Sequence, residues 1–209
     1  MAEPGPDSHE TRALLERIQA GDDRAFDALF ARHQASLRDF IDLRLDPRIR
    51  ARVDPSDVVQ ETQLEAYHRL QDFLERQPMP FRLWLRKTAY ERLLKVQRHH
   101  DAARRAVGRE AVLPDRSSLL LARPFLPAGP SPSQELARKE LVRRVREALG
   151  RLSETDREVL LMRNIEELPY EEIGCLLDLS AAAARKRYGR ALLRWQKILF
   201  EEGLLESSP

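Results

Sequence analysis

Residues 152–199 read LSETDREVLLMRNIEELPYEEIGCLLDLSAAAARKRYGRALLRWQKIL, and the punctuation of this stretch decides the fold. Ser153 stands where a helix cap belongs, with Asp156 three positions on. That is close to the reciprocal arrangement in which a cap hydroxyl and a third-residue acid satisfy the first free amides of a helix. Val159, Leu160 and Met162 supply the apolar face. Leu168-Pro169-Tyr170-Glu171-Glu172 then opens a second, short helix ending at Leu177. Asp178-Leu179 makes a turn, and Ser180 caps a third helix of roughly twenty residues. A short helix, a tight turn and a capped longer helix form a helix-turn-helix, whose last helix enters the major groove of DNA.

Charge supports that reading. The third helix carries Arg185, Lys186, Arg187, Arg190, Arg194 and Lys197, with no acid from Ser180 to Lys197. Phosphates attract such a face, and neutralising them releases counterions. Ala181 to Ala184 are small, which allows close approach to base edges but supplies few specifying hydrogen bonds. Base reading is therefore expected from Arg185 and Arg187, with Lys186 and Arg190 on the backbone. The plainer alternative is a solvated basic face on a bundle helix.

Outside this stretch the chain is helical in pattern throughout. Of 209 residues, 33% are charged and 42% hydrophobic, too apolar for a disordered chain. A net charge of +2 conceals local separation of acid from base. The acidic start, Met1 to Asp7, has no apolar core and is not a secretory signal. No apolar run approaches the roughly 20 residues that cross a bilayer. Cys175 is the single cysteine, among Ile173, Leu176 and Leu177, and reads as a small hydrophobe. A cytoplasmic protein without cofactor, metal or membrane contact is expected.

The pattern predicts an all-α protein of two helical domains joined by a proline-rich linker. Residues 1–11 are expected to be a disordered N-terminus and 12–106 the first domain. The linker is 107–133, the helix-turn-helix domain 134–203, and 204–209 a tail. In the first domain Leu14 to Ile41 form two helices broken at Gly21, and Asp46-Pro47 ends the second. Asp54-Pro55-Ser56-Asp57 starts a third, with proline and acids suited to a first turn. A fourth runs from about Phe81 to Val96. Five prolines between Pro114 and Pro132 preclude a helix there. Leu119-Leu120-Leu121 and Phe125-Leu126 are too apolar for a passive spacer, so part of the linker should dock.

Two constellations occupy the first domain. Asp54 to Glu75 holds six acids against Arg69 alone. Asp57, Glu61 and Glu65, four apart, repel one another by a few tenths of a kcal/mol per pair, which a basic partner would relieve. Arg82 to Arg105 holds eight Arg and Lys against Glu91 and Asp101, with Trp84 and Tyr90 interleaved. Basic residues with aromatics suit single-stranded nucleic acid, on whose bases rings stack at roughly 1–3 kcal/mol each. Trp84 either stacks in this way or packs in the core beside Leu85.

Asp54-Pro55-Ser56-Asp57-Val58-Val59-Gln60-Glu61-Thr62 resembles the core-polymerase-binding segment of the sigma-70 family. Phe81-Arg82-Leu83-Trp84-Leu85-Arg86-Lys87-Thr88-Ala89 resembles the following segment, which melts and reads the −10 element. Residues 152–160 and 168–174 resemble the domain that reads the −35 element. Four motifs in the family's order, with only a linker between two small domains, resemble the extracytoplasmic-function (ECF) class of bacterial sigma factors.

The resemblance implies that Asp54, Asp57, Gln60, Glu61 and Leu64 bind core RNA polymerase, at the clamp helices of its β′ subunit. Contact with the β subunit is implied too. Trp84, Arg86, Lys87, Arg92, Lys95 and Arg98 would hold the −10 strand, and Ser180, Arg185, Lys186, Arg187 and Arg190 would engage the −35 duplex. The linker would thread toward the polymerase active site, and an anti-sigma factor could control the whole. The chain itself would catalyse nothing. Glu91 departs from the family's asparagine, and Asp178 from its glycine at the turn.

Other classes remain. A helix-turn-helix regulator with a helical sensing or interaction domain shares the C-terminal signal; a receiver domain would show alternating strands and a phosphorylatable aspartate, and the sequence shows neither. Glu65-Ala66-Tyr67-His68 has the Glu-x-x-His spacing of di-iron bundles, without a second copy among five histidines. A helical adaptor would use only the acidic face.

Overall fold

The computed structural model describes residues 7–45, 47–50, 52–102, 120–121 and 132–204. These residues are helical throughout, with no strand among them, as the periodicity predicts. They fall into two compact units, which divide near residue 108 apart from the short stretch 46–48.

The first unit begins earlier than expected. Helix α1, His9–Gln19, is capped by Ser8, whose hydroxyl accepts the Thr11 amide. Asp7 reaches across the unit to the fourth long helix, where its carboxylate accepts the amides of Phe81 at 2.5 Å and Arg82 at 3.1 Å. Residues 7–11 are therefore ordered rather than part of a disordered N-terminus. The reason is non-local: a helix start that lacks its own capping side chain takes one from the chain terminus.

Gly21, at φ +91°, makes the break before α2, Ala25–Asp42. That helix ends before Asp46, and Pro47 opens a short turn of helix, α3, Pro47–Arg50. Helix α4, Pro55–Arg76, starts with a full capping box: Asp54 accepts from the helix start and Asp57 accepts the Asp54 amide at 3.1 Å. Gln77, in left-handed geometry, ends it. Helix α5 is Phe81–Ala102. The core is built from Phe26, Leu29, Phe30, Phe40, Ile41, Val59, Ala66, Phe73, Phe81, Leu85 and Leu93. Each fully buried large side chain contributes about 1.5–3 kcal/mol relative to exposure. Thr62 and Thr88 are buried too, and their hydroxyls donate to the carbonyls of Val58 and Trp84.

The second unit contains α6, Pro132–Gly150; α7, Glu154–Asn164; α8, Tyr170–Leu177; and α9, Ala181–Glu201. One core gathers Val145, Leu149, Leu152, Leu160, Leu161, Ala191, Trp195 and Leu199. A second, smaller one joins Val159, Met162, Ile173, Leu176 and Ala184. Leu121 from the linker lies in the first of these at 4% exposure. The expected docking of the linker is thus partly visible, while Leu119, Phe125 and Leu126 lie outside the described residues, as does most of 107–133.

Candidate nucleic-acid interface

The turn between α8 and α9 follows from two residues. Asp178 adopts φ 55°, ψ 42°, the left-handed conformation that its short polar side chain tolerates. Gly174 is packed so closely that a Cβ there would lie 2.6 Å from the Leu179 carbonyl oxygen. Glycine at 174 is thus required by approach and Asp at 178 is allowed by conformation. Ser180 then caps α9, its Oγ accepting the Ala183 amide at 3.1 Å.

Helix α9 buries only Ala184, Ala191, Trp195 and Leu199, so most of its circumference is open. Arg185, Lys186 and Arg190 are exposed, as expected. The Arg185 guanidinium sits 5.1 Å from the centre of the Tyr170 ring, and Arg163 sits 4.9 Å from the same ring. Tyr170 also meets Tyr188 edge-on at 6.0 Å. Arg187 differs from its expected role. Its Nη1 lies 3.3 Å from Asp156, whose side chain is 3% exposed, and Arg194 binds the other oxygen at 2.6 Å. Arg187 is turned toward α7, not outward with Arg185. Asp156 accordingly does not complete a capping box at Ser153, although its amide donates to the Ser153 hydroxyl.

On α4, Asp54, Asp57, Gln60, Glu61 and Leu64 are all exposed. The last four recur at helical spacing, so they share one face. Leu64 is 62% exposed and Tyr67, one turn on, 51%. An open leucine and tyrosine bordered by acids form an apolar patch with a charged rim, the usual composition of a docking surface. The repulsion along this face is relieved within the unit. Arg92 binds Glu61 at 2.7 Å and approaches Glu65 at 3.8 Å; Arg69 binds Glu91 at 2.9 Å. The Asp54 carboxyl is held below the usual carboxylate range, chiefly by the Ser56 amide it accepts.

The cations of α5 are not equivalent. Lys95 and Arg98 are exposed, and Lys87 is half-buried. The Arg86 guanidinium lies 4.8 Å from the Phe40 ring, where buried Arg44 also lies at 3.9 Å. Arg92 belongs to the acidic network just described. Trp84 is a correction to the strand-holding set. At 6% exposure it packs on Phe73 at 4.7 Å and Phe81 at 5.6 Å between ring centres, leaving no open face for a base. Glu91, the departure from the family's asparagine, has its charge matched by Arg69 at 2.9 Å.

Sequence reasoning missed the Asp7 cap, the Asp156 pairs and the Tyr170 stack. Each joins residues far apart in sequence, and only Asp156 carried a local signal, which pointed to a cap instead. No described helix is long and apolar enough to cross a membrane.

Two helical units, one ending in a helix-turn-helix with an open cationic helix, have the layout of a DNA-binding protein with a second helical domain. The family model for sigma-70, region 4, matches residues 142–194. RNA polymerase sigma factor CnrH of Cupriavidus metallidurans is 30% identical over 188 residues, covering 90% of this chain and 93% of that protein. The ECF RNA polymerase sigma-E factor of Haemophilus influenzae is 29% identical, over 86% and 90% of the two chains. The solved structure of CnrH in complex with the cytosolic domain of CnrY aligns with TM-score 0.57 and 27% identity, over 92% and 99%. The sigma factor RpoE from Bartonella quintana, solved with the anti-sigma factor NepR, shares the fold at TM-score 0.51. The chain belongs to the ECF class of RNA polymerase sigma factors, and acts in transcription initiation.

Proposed function

We propose that the two units divide the work of a sigma factor between them. The first docks on core RNA polymerase through Asp54, Asp57, Gln60, Glu61 and Leu64, and holds the −10 strand with Lys87, Lys95 and Arg98. Arg86 and Arg92 stand behind these, tied to Phe40 and to the α4 acids. The second unit reads the −35 duplex with Arg185, Lys186 and Arg190, the Ser180 cap bringing the helix start to the groove. The observation that carries this reading is that the α4 docking residues are open on one face while α9 leaves those three cations open on another unit. Basic clamp helices on the β′ subunit would complement the acid-rimmed Leu64 patch.

The chain would work in the bacterial cytoplasm and catalyse no reaction itself. The similar CnrH was solved with the cytosolic domain of CnrY, and RpoE, which shares the fold, with the anti-sigma factor NepR; an anti-sigma factor is the inhibitor proposed here, acting by covering one or both faces.

Run-off transcription with core polymerase tests the division. Addition of the chain should start transcripts at a promoter set that core alone ignores. Asp57→Lys with Glu61→Lys should abolish core binding and leave duplex binding intact. Arg185→Ala with Lys186→Ala should do the reverse. Failure of the wild-type chain to bind either core or DNA at low salt would overturn the reading.

A further inference from the structure

Six cations lie on α9, yet two of them are held by one buried acid. Arg187 and Arg194 are two helical turns apart and so lie on one stripe of the helix. Both reach Asp156 of α7, at 3.3 and 2.6 Å, and occupy different oxygens of the carboxylate. Asp156 is 2% exposed. A carboxylate so enclosed needs its partners, because a buried charge without them is strongly unfavourable. It is therefore a firm anchor for both guanidinium groups. Arg187 is held inward, its side chain 32% exposed, whereas Arg194 keeps 63% exposure while bound to the same acid. Arg185, Lys186 and Arg190 are exposed with no acid on them in this cluster, and Arg185 rests beside the Tyr170 ring.

We infer that Asp156 is a positioning residue that turns Arg187 away from the open surface of α9 and neutralises the still exposed Arg194, limiting sequence-independent attraction and leaving base reading to Arg185. This rests on the −35 reading of the second unit. Discrimination is a difference between specific and non-specific binding. Every additional open cation strengthens non-specific binding through phosphate neutralisation without adding base information. The small start of α9, Ala181 to Ala184, offers little specificity of its own, so restraint of the remaining cations matters more here than in a helix with polar reading residues.

The test measures binding of the full chain to a random-sequence 20-base-pair duplex across a salt series. Arg187→Gln and Lys186→Gln change net charge equally. Lys186→Gln should flatten the slope of log K against log salt by about 0.9, the value for one lost phosphate contact. Arg187→Gln should flatten it by less than half as much. Asp156→Asn should steepen it by about 0.9–1.8 for one or two released arginines, and tighten random-duplex binding at low salt. Adding Arg187→Gln to Asp156→Asn should remove about half of that gain.

Equal flattening by Arg187→Gln and Lys186→Gln would overturn the proposal. So would an Asp156→Asn protein that folds, with its helical circular dichroism intact, yet keeps the wild-type slope. Where Asp156→Asn does not fold, the two glutamine variants decide alone. A wild-type chain that binds no duplex at any salt removes the −35 reading and this inference with it. That outcome differs visibly from wild-type binding with the wrong variant order.

Discussion

Helices α5 and α9 look alike as strings of arginine and lysine, yet they fold into different kinds of surface. Helix α5 buries Phe81, Leu83, Trp84, Leu85, Thr88, Ala89 and Leu93, so its cations are confined to the edges of a wide buried stripe. Arg92 is drawn to Glu61 and Glu65, and Arg86 to Phe40. Helix α9 buries four residues and keeps Arg185, Lys186 and Arg190 open. A run of basic residues therefore marks a nucleic-acid face only as far as burial and nearby acids leave it unspent. The aromatic residues divide likewise: Trp84 belongs to the packing of α5, whereas Tyr170 stands beside the open Arg185.

The strongest way to break this contrast is at Trp84. If the ring packs, Trp84→Ala destabilises the first unit by about 3–5 kcal/mol in urea unfolding followed by circular dichroism. If it stacked on bases, stability would hold and single-strand binding would fall. Gly174→Ala attacks the other side. With the Leu179 carbonyl 2.6 Å from the new Cβ, a loss of about 1–3 kcal/mol is expected, together with loss of duplex binding while core binding survives. Each unit's core holds one of the two tryptophans, Trp84 or Trp195, so variants retaining one report each unit's unfolding separately by fluorescence.

Asp7→Ala removes the cap borrowed by α5 and should lower stability of the first unit by about 0.5–2 kcal/mol, with no effect on the second. Glu91→Gln should shift stability by under about 1 kcal/mol, since the Arg69 pair is exposed on both sides. It should also strengthen single-strand binding slightly, measured by fluorescence anisotropy, by freeing Arg69. The smallest effect expected is on acid sensitivity. Burial pushes the His33 imidazole below its ordinary value of 6.5, outweighing the attraction of Asp7. The folded chain thus binds that proton less readily than the unfolded one. Its contribution is intact above pH 6.5 and declines as pH falls below it. His33→Gln should reduce the loss of thermal stability between pH 7.5 and 5.5.

Most of the helices and the whole helix-turn-helix layout were legible because their signals are local. Ser180, Asp54 and Ser153 cap the helices they precede, and apolar spacing marks the buried faces. The exposed acidic face of α4 was legible for the same reason, since spacing along one helix fixes which residues share it. What the sequence withheld was direction across the fold. Nothing near Asp156 announces partners on a helix two elements later, and nothing in Arg187 distinguishes it from Arg185 two positions before. Trp84 stood between two readings for the same cause: an aromatic among cations looks the same whether its neighbours in space are bases or Phe73.

Leu121, seated among Val145, Leu149 and Trp195, has a practical meaning for anyone who cuts the chain. A fragment begun at Pro132 would leave its socket empty and its rim wet, so an isolated C-terminal piece should begin before Leu120.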